Sequence, residues 1–113
     1  MMYVDFEAGN KAYKLRLNTR SIIALEKQLG CNPVNILNVG NEEDLTLPPI
    51  TSMVMVLHAS LQQLNHGITL DEAFNIFDEY LADGNTALNF LNVIMNIYKV
   101  SGLLPDVEGA EKN

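Results

Sequence analysis

Apolar and polar side chains alternate from Val4 to Glu7 and from Tyr13 to Leu17, the two-residue period of a half-buried strand. Gly9-Asn10 interrupts this pattern with a pair that accepts positive φ and so closes a two-residue hairpin. Folding there sets Phe6 opposite Tyr13 and Val4 opposite Leu15 on one face. On the other face Asp5 meets Lys14 and Tyr3 meets Arg16. Both faces agree on one register, since a slip of one residue would turn the apolar set outward. Strands are therefore expected at about 2–7 and 11–17.

From Asn18 the period changes to that of helices. Asn18-Thr19 offers side-chain oxygens to a helix start, Ile22, Leu25 and Leu29 follow at helical spacing, and Gly30 supplies the left-handed residue that stops the run. This predicts a helix over 19–29. Asn32-Pro33 opens a short second one to about 39, because proline suits the first helical position. Gly40, Glu42, Glu43 and Asp44, closed by Pro48-Pro49, read as a solvated connector.

Ile50, Met53, Val54, Leu57, Leu61 and Leu64 recur at three- and four-residue steps and predict a helix over 50–65, stopped by Gly67. Thr69 and Glu72 form a capping box for a helix over 70–83. That helix is expected to bury Leu70, Ala73, Phe74, Phe77 and Leu81 and to turn Asp71, Glu72, Asn75, Asp78 and Glu79 outward. The last helix, 86–102, gathers Asn89, Asn92, Asn96 and Lys99 within an arc of about 80° and is apolar elsewhere. Four uncovered apolar side chains would forfeit on the order of 6–12 kcal/mol of burial. Such a helix is therefore either the central rod of the bundle or in part the contact face for another chain.

The expected fold is mainly α: an N-terminal hairpin followed by four to five helices, one domain over 1–104, with a disordered acidic tail at 105–113. At 113 residues and 48% hydrophobic content, the chain can bury a core without staples. Cys31 is the only cysteine, which points to a reducing, intracellular setting. The first residues lack the apolar run of a secretory signal, and no stretch approaches the length of a membrane span.

The net charge of −7 is unevenly spread, at +2 over residues 1–30 and −9 over the remainder. A nucleic-acid binder concentrates Lys and Arg on its reading surface, so this balance argues against DNA or RNA as partner. His58 and His66 lie eight residues apart on one helix, too far to share a metal, and both read as structural. Asp83-Gly84-Asn85 is followed by Ala87 and Asn89, where a calcium loop would need acids. Phosphate-loop, nucleophile-elbow and zinc-protease patterns do not occur. The residues predict no catalytic centre, no metal and no cofactor.

The hairpin, the segment RLNTRSIIALEKQLGCNPVNIL and the helical remainder resemble the small tail assembly chaperones of long-tailed bacteriophages and prophage-like elements, over roughly residues 3–104. The sharpest part is RLNTRSIIALEKQLG, an Arg-Leu strand followed by an "ALE…LG" helix. The resemblance implies a non-catalytic protein of the host cytoplasm, absent from the mature virion. It would coat the tape measure protein, help recruit tail tube protein, and self-associate. It also implies that a frameshifted longer form can exist. The residues expected at the partner surface are the basic strand face, Lys14, Arg16 and Arg20, with Leu91 and Met95 bordering an apolar groove beside the last helix. A head–tail connector or other structural virion component, and a protein-binding adaptor unrelated to phage, are the alternatives.

Overall fold

The structure, a computed structural model, describes residues 2–37, 47–65 and 67–105. Strands β1 (Val4–Ala8) and β2 (Lys11–Leu15) pair antiparallel with Val4 opposite Leu15, Asp5 opposite Lys14 and Phe6 opposite Tyr13, the register expected from the alternation. Gly9 and Asn10 take φ of 59° and 66°, the two positive values that a tight hairpin with right-handed strand twist requires. β2 stops at Leu15, two residues earlier than expected, because the chain changes partners. The Arg16 amide donates to Ser60 O at 3.0 Å and the Leu17 amide to Ser101 Oγ at 2.9 Å.

Helix α1 (Thr19–Leu29) starts from a reciprocal cap. Asn18 Oδ1 accepts from the Ser21 amide at 2.9 Å, and Ser21 Oγ accepts from the Asn18 amide at 2.8 Å. Gly30, at φ 72°, closes it with an amide bond to Glu26 O. The next segment, Pro33–Leu37, is a 3-10 rather than an α-helix, with Asn32 Oδ1 accepting from the Val34 amide. The expected end of that helix, the acidic connector, His66 and the tail from 106 lie outside the described residues.

Helix α2 (Ile50–Leu61) is the centre of the molecule. Met53, Val54, Val56, Leu57, Ala59, Ser60 and Leu61 are all buried, covering an arc of about 220°. It packs against α1, β2 and both later helices, α3 (Leu70–Ala82) and α4 (Ala87–Val100). The central rod is thus α2 and not the last helix. α4 buries Phe90, Leu91, Ile94, Ile97 and Tyr98, an arc of only about 120°, against α2 and β1. Its position explains the difference, because α2 is packed by α1, β2, α3 and α4, whereas α4 is packed by α2 and β1. The Ser60 hydroxyl is satisfied within the helix by Leu57 O at 2.9 Å. α2 also ends four residues before the expected position 65, giving way to turns at 62–64.

α3 carries both expected capping bonds, Glu72 amide to Thr69 Oγ1 at 3.1 Å and Thr69 amide to Glu72 Oε1 at 3.2 Å. Its buried face differs from the expected one. Ala73, Ile76, Phe77 and Tyr80 are buried, whereas Phe74 and Leu81 are 42% and 38% exposed. Ala73, without a bulky side chain, brings the helix close to its neighbours. Tyr80 and Phe77 then complete an aromatic cluster with Phe6 and Phe90. Phe6 stacks on Tyr80 at 5.0 Å between centroids, and Phe90 meets Phe77 edge-on at 5.1 Å and Tyr80 at 5.6 Å. One core therefore joins hairpin, α2, α3 and α4.

Candidate partner-binding surface

The basic residues of the hairpin region do different work. Arg16 is half-buried, and its Nη1 donates to Met2 O at 2.8 Å and to Val100 O at 2.6 Å. A guanidinium at the last carbonyls of α4 satisfies an orphan acceptor and meets the negative end of the helix dipole. Arg16 thereby ties the strand face to the end of α4, but as a fastening. Lys14 holds its Nζ 5.0 Å from the centre of the Tyr3 ring, a cation–π arrangement. Its backbone is closed by Asn65, whose Nδ2 donates to Lys14 O at 2.7 Å and whose Oδ1 accepts from the Lys14 amide at 3.5 Å. Asn65 thus covers the free edge of β2 as a third strand would.

Arg20 is exposed and lines an open depression of about 280 Å³ between the start of α1 and the second half of α2, with Gln28, His58, Gln62 and Gln63. Of the residues expected on the last helix, Leu91 is 7% exposed and belongs to the core, whereas Met95 is half-buried. Leu91 and Met95 lie about 13 and 7 Å along the helix from Val100, where Arg16 is bound. The structure brings Arg16 to the end of α4. It places Arg20 over α2 and assigns Leu91 inward.

Several apolar side chains face water, among them Met2, Ile23 and Ile50 and also Phe74 and Leu81, which the helical spacing predicts to be buried. Phe74 and Leu81 on α3 and Leu88 on α4 are exposed, at 42%, 38% and 53%, and Met95 is half-buried. On α3, Phe74 and Leu81 lie about 90–110° around the helix from the centre of the buried face. Half-buried Leu70 falls between that face and the exposed pair, so Leu70, Phe74 and Leu81 form an apolar seam along α3 beside the core face. The three- and four-residue periodicity was the signal for this seam, although it predicted burial and not exposure.

A second depression, about 350 Å³, lies between β2 and α3 and is lined by Lys11, Tyr13, Ile68, Glu72, Asn75, Ile76 and Glu79. Burial and the Glu79 and Glu72 carboxylates together push the Tyr13 phenol up from its ordinary value. Beside it the hairpin tip is latched to the end of α3. The Gly9 amide donates to Asp83 Oδ2 at 2.9 Å, and a side chain at position 9 would run into the Glu79 carboxylate. Asn85 Nδ2 donates to Tyr80 O at 3.0 Å. Asp83-Gly84-Asn85 is thus occupied with turn chemistry. Cys31 is exposed, His58 is half-buried between α1 and α2, and among the described residues no three His, Cys, Asp or Glu side chains are grouped to hold a metal ion. No helix among the described residues is long and apolar enough to cross a membrane.

Residues 4–112 match a family of unknown function, DUF6096, and the chain belongs to that family. No curated protein and no solved structure matches the chain.

Proposed function

We propose that this member of the DUF6096 family is a non-catalytic tail assembly chaperone of a long-tailed bacteriophage or prophage-like element. In this reading it holds the tape measure protein in soluble form and helps recruit tail tube subunits. The observation that carries the proposal is the pair of large apolar side chains on α3, Phe74 and Leu81, left in water by a chain whose core is already filled. Exposed apolar residues at regular helical spacing mark a surface that meets another helix. The RLNTRSIIALEKQLG resemblance supports a tape measure protein, itself long and helical, as that other chain. The acidic excess over residues 31–113 supports the same role, since it keeps copies apart while they wait for a partner.

Co-expression with the tape measure protein of the same genome, followed by affinity capture, tests the proposal. The chain is expected to co-purify with the tape measure protein and to raise its soluble fraction. Phe74→Asp combined with Leu81→Asp should reduce capture while circular dichroism stays unchanged, because both side chains are exposed. Leu91→Asp does not serve this purpose, as it places a charge in the core. Mass spectrometry of purified particles should find the chain missing. Its retention would instead identify a head–tail connector or another virion component, and failure to bind any tape measure protein would leave an adaptor of a different kind.

A further inference from the structure

The exposed seam of α3 has a charge setting that selects its occupant. Phe74 is flanked on the outward side by Asp71 three residues before and Asp78 four residues after, and Asp78 lies three residues before Leu81. Residues three and four apart are neighbours on a helix surface, so Phe74 borders both carboxylates and Leu81 borders Asp78. Asp71 and Asp78 are exposed, and α3 contains no Lys or Arg to answer them. Further round, Glu72 and Glu79 add two more exposed carboxylates. The core of the molecule uses the other face of this helix, through Ala73, Ile76, Phe77 and Tyr80. The outer seam is therefore available without any rearrangement.

We infer that the edge of α3 formed by exposed Phe74 and Leu81 with half-buried Leu70 is a docking surface for a basic amphipathic helix, one with aliphatic residues at heptad spacing bordered by Lys or Arg. Phe74 and Leu81 are the anchors, and Asp71 and Asp78 fix orientation and exclude acidic partners. Apolar anchors supply most of the energy at such contacts, and peripheral charges mainly set on-rate and specificity. A second copy of the chain is a poor occupant, because its own seam is bordered by the same carboxylates and like charges would face each other. This inference rests on the proposed function to the extent that it names where the tape measure protein would bind and what chemistry its segment carries.

The probe is a fluorescently labelled three-heptad peptide with Leu at the two seam positions and Lys at the flanking ones, titrated with the full chain and read by fluorescence polarisation. A peptide of the same composition in scrambled order and one with Glu in place of Lys are titrated alongside. The Lys peptide should bind saturably, and the other two should bind at least roughly tenfold more weakly. Phe74→Ser combined with Leu81→Ser should weaken the Lys peptide roughly tenfold or more. Asp71→Lys combined with Asp78→Lys changes exposed positions that carry no core contact, and should reverse the preference toward the Glu peptide. Equal binding of the scrambled peptide, or charge-reversed protein that still prefers Lys, overturns the inference. Capture of tape measure protein at wild-type strength by the Phe74→Ser/Leu81→Ser protein would overturn this surface and leave the assembly role standing. Absence of capture by the wild type, with the peptide still bound at the seam, would do the reverse.

Discussion

Tyr98 is wholly buried on α4, and its hydroxyl donates to Pro33 O at 2.9 Å across the molecule. That bond holds the 3-10 segment against the core, and Pro33 itself is buried. Tyr98→Phe keeps the ring and removes only the donor, leaving a carbonyl in a dry place. The expected loss is about 1–2 kcal/mol in urea unfolding, with an unchanged m-value. Partners of this kind were not legible in the sequence. Alternation put Arg16 on a strand face, but its guanidinium ends at Val100, 84 positions away, and Asn65 reaches Lys14 over 51. Periodicity reports which side of an element a residue occupies and says nothing of which distant carbonyl waits there. Hence Arg16, expected at a partner surface, is used as an internal fastening, and Leu91 with it turns inward.

Elements were legible where local chemistry decides them. The Gly9-Asn10 turn, the Asn18 and Thr69 caps and the Gly30 stop all act within four residues of where they are read, and the structure shows each one. The face of α3 was not, because its apolar residues satisfy two seams at once. Leu70-Phe74-Phe77-Leu81 has the better spacing, yet Ala73-Ile76-Phe77-Tyr80 packs closer and meets Phe6 and Phe90. For the same reason the breadth of the apolar arc on α4 did not identify the central helix. What counts is how many elements close round a helix, and α2 is packed by α1, β2, α3 and α4. The hairpin latch belongs to this scale as well. Gly9→Ala imposes a β-carbon at φ 59° and drives it into the Glu79 carboxylate. Thermal and urea denaturation should show a loss of about 1–3 kcal/mol. Adding Glu79→Ala should restore the part due to the collision and leave the part due to φ, a separation that a double-mutant cycle reads directly.

Across the whole molecule the tyrosines set an alkaline limit. Burial, and then the nearby Cys31, push the Tyr98 phenol far above its ordinary value of 10.0. Burial raises Tyr80 also, and Tyr13 is raised by burial with Glu79 and Glu72. The fold favours the neutral phenol, so above about pH 10 the unfolded chain has released protons that the native chain still holds. Stability from these groups is complete below that pH and is lost as pH climbs past it. Denaturation midpoints should be flat to about pH 9 and fall beyond 10, with tyrosinate absorbance appearing together with loss of helix. Tyr98→Phe should start from a lower plateau and decline less steeply.

The Arg16 guanidinium also decides how the molecule tolerates cutting and joining. One nitrogen is bonded to both Met2 O and Val100 O, so the backbone at the two extremes of the folded body is nearly contiguous. A short flexible peptide from Pro105 back to Met2 would bridge that gap with little added loop entropy. New termini can then be opened at Gly67, which is exposed, at φ 69°, and has open space around its α-carbon. A circularly permuted chain built this way should keep the aromatic cluster and the Phe74–Leu81 seam. A cargo joined at Met2 would emerge beside the end of α4.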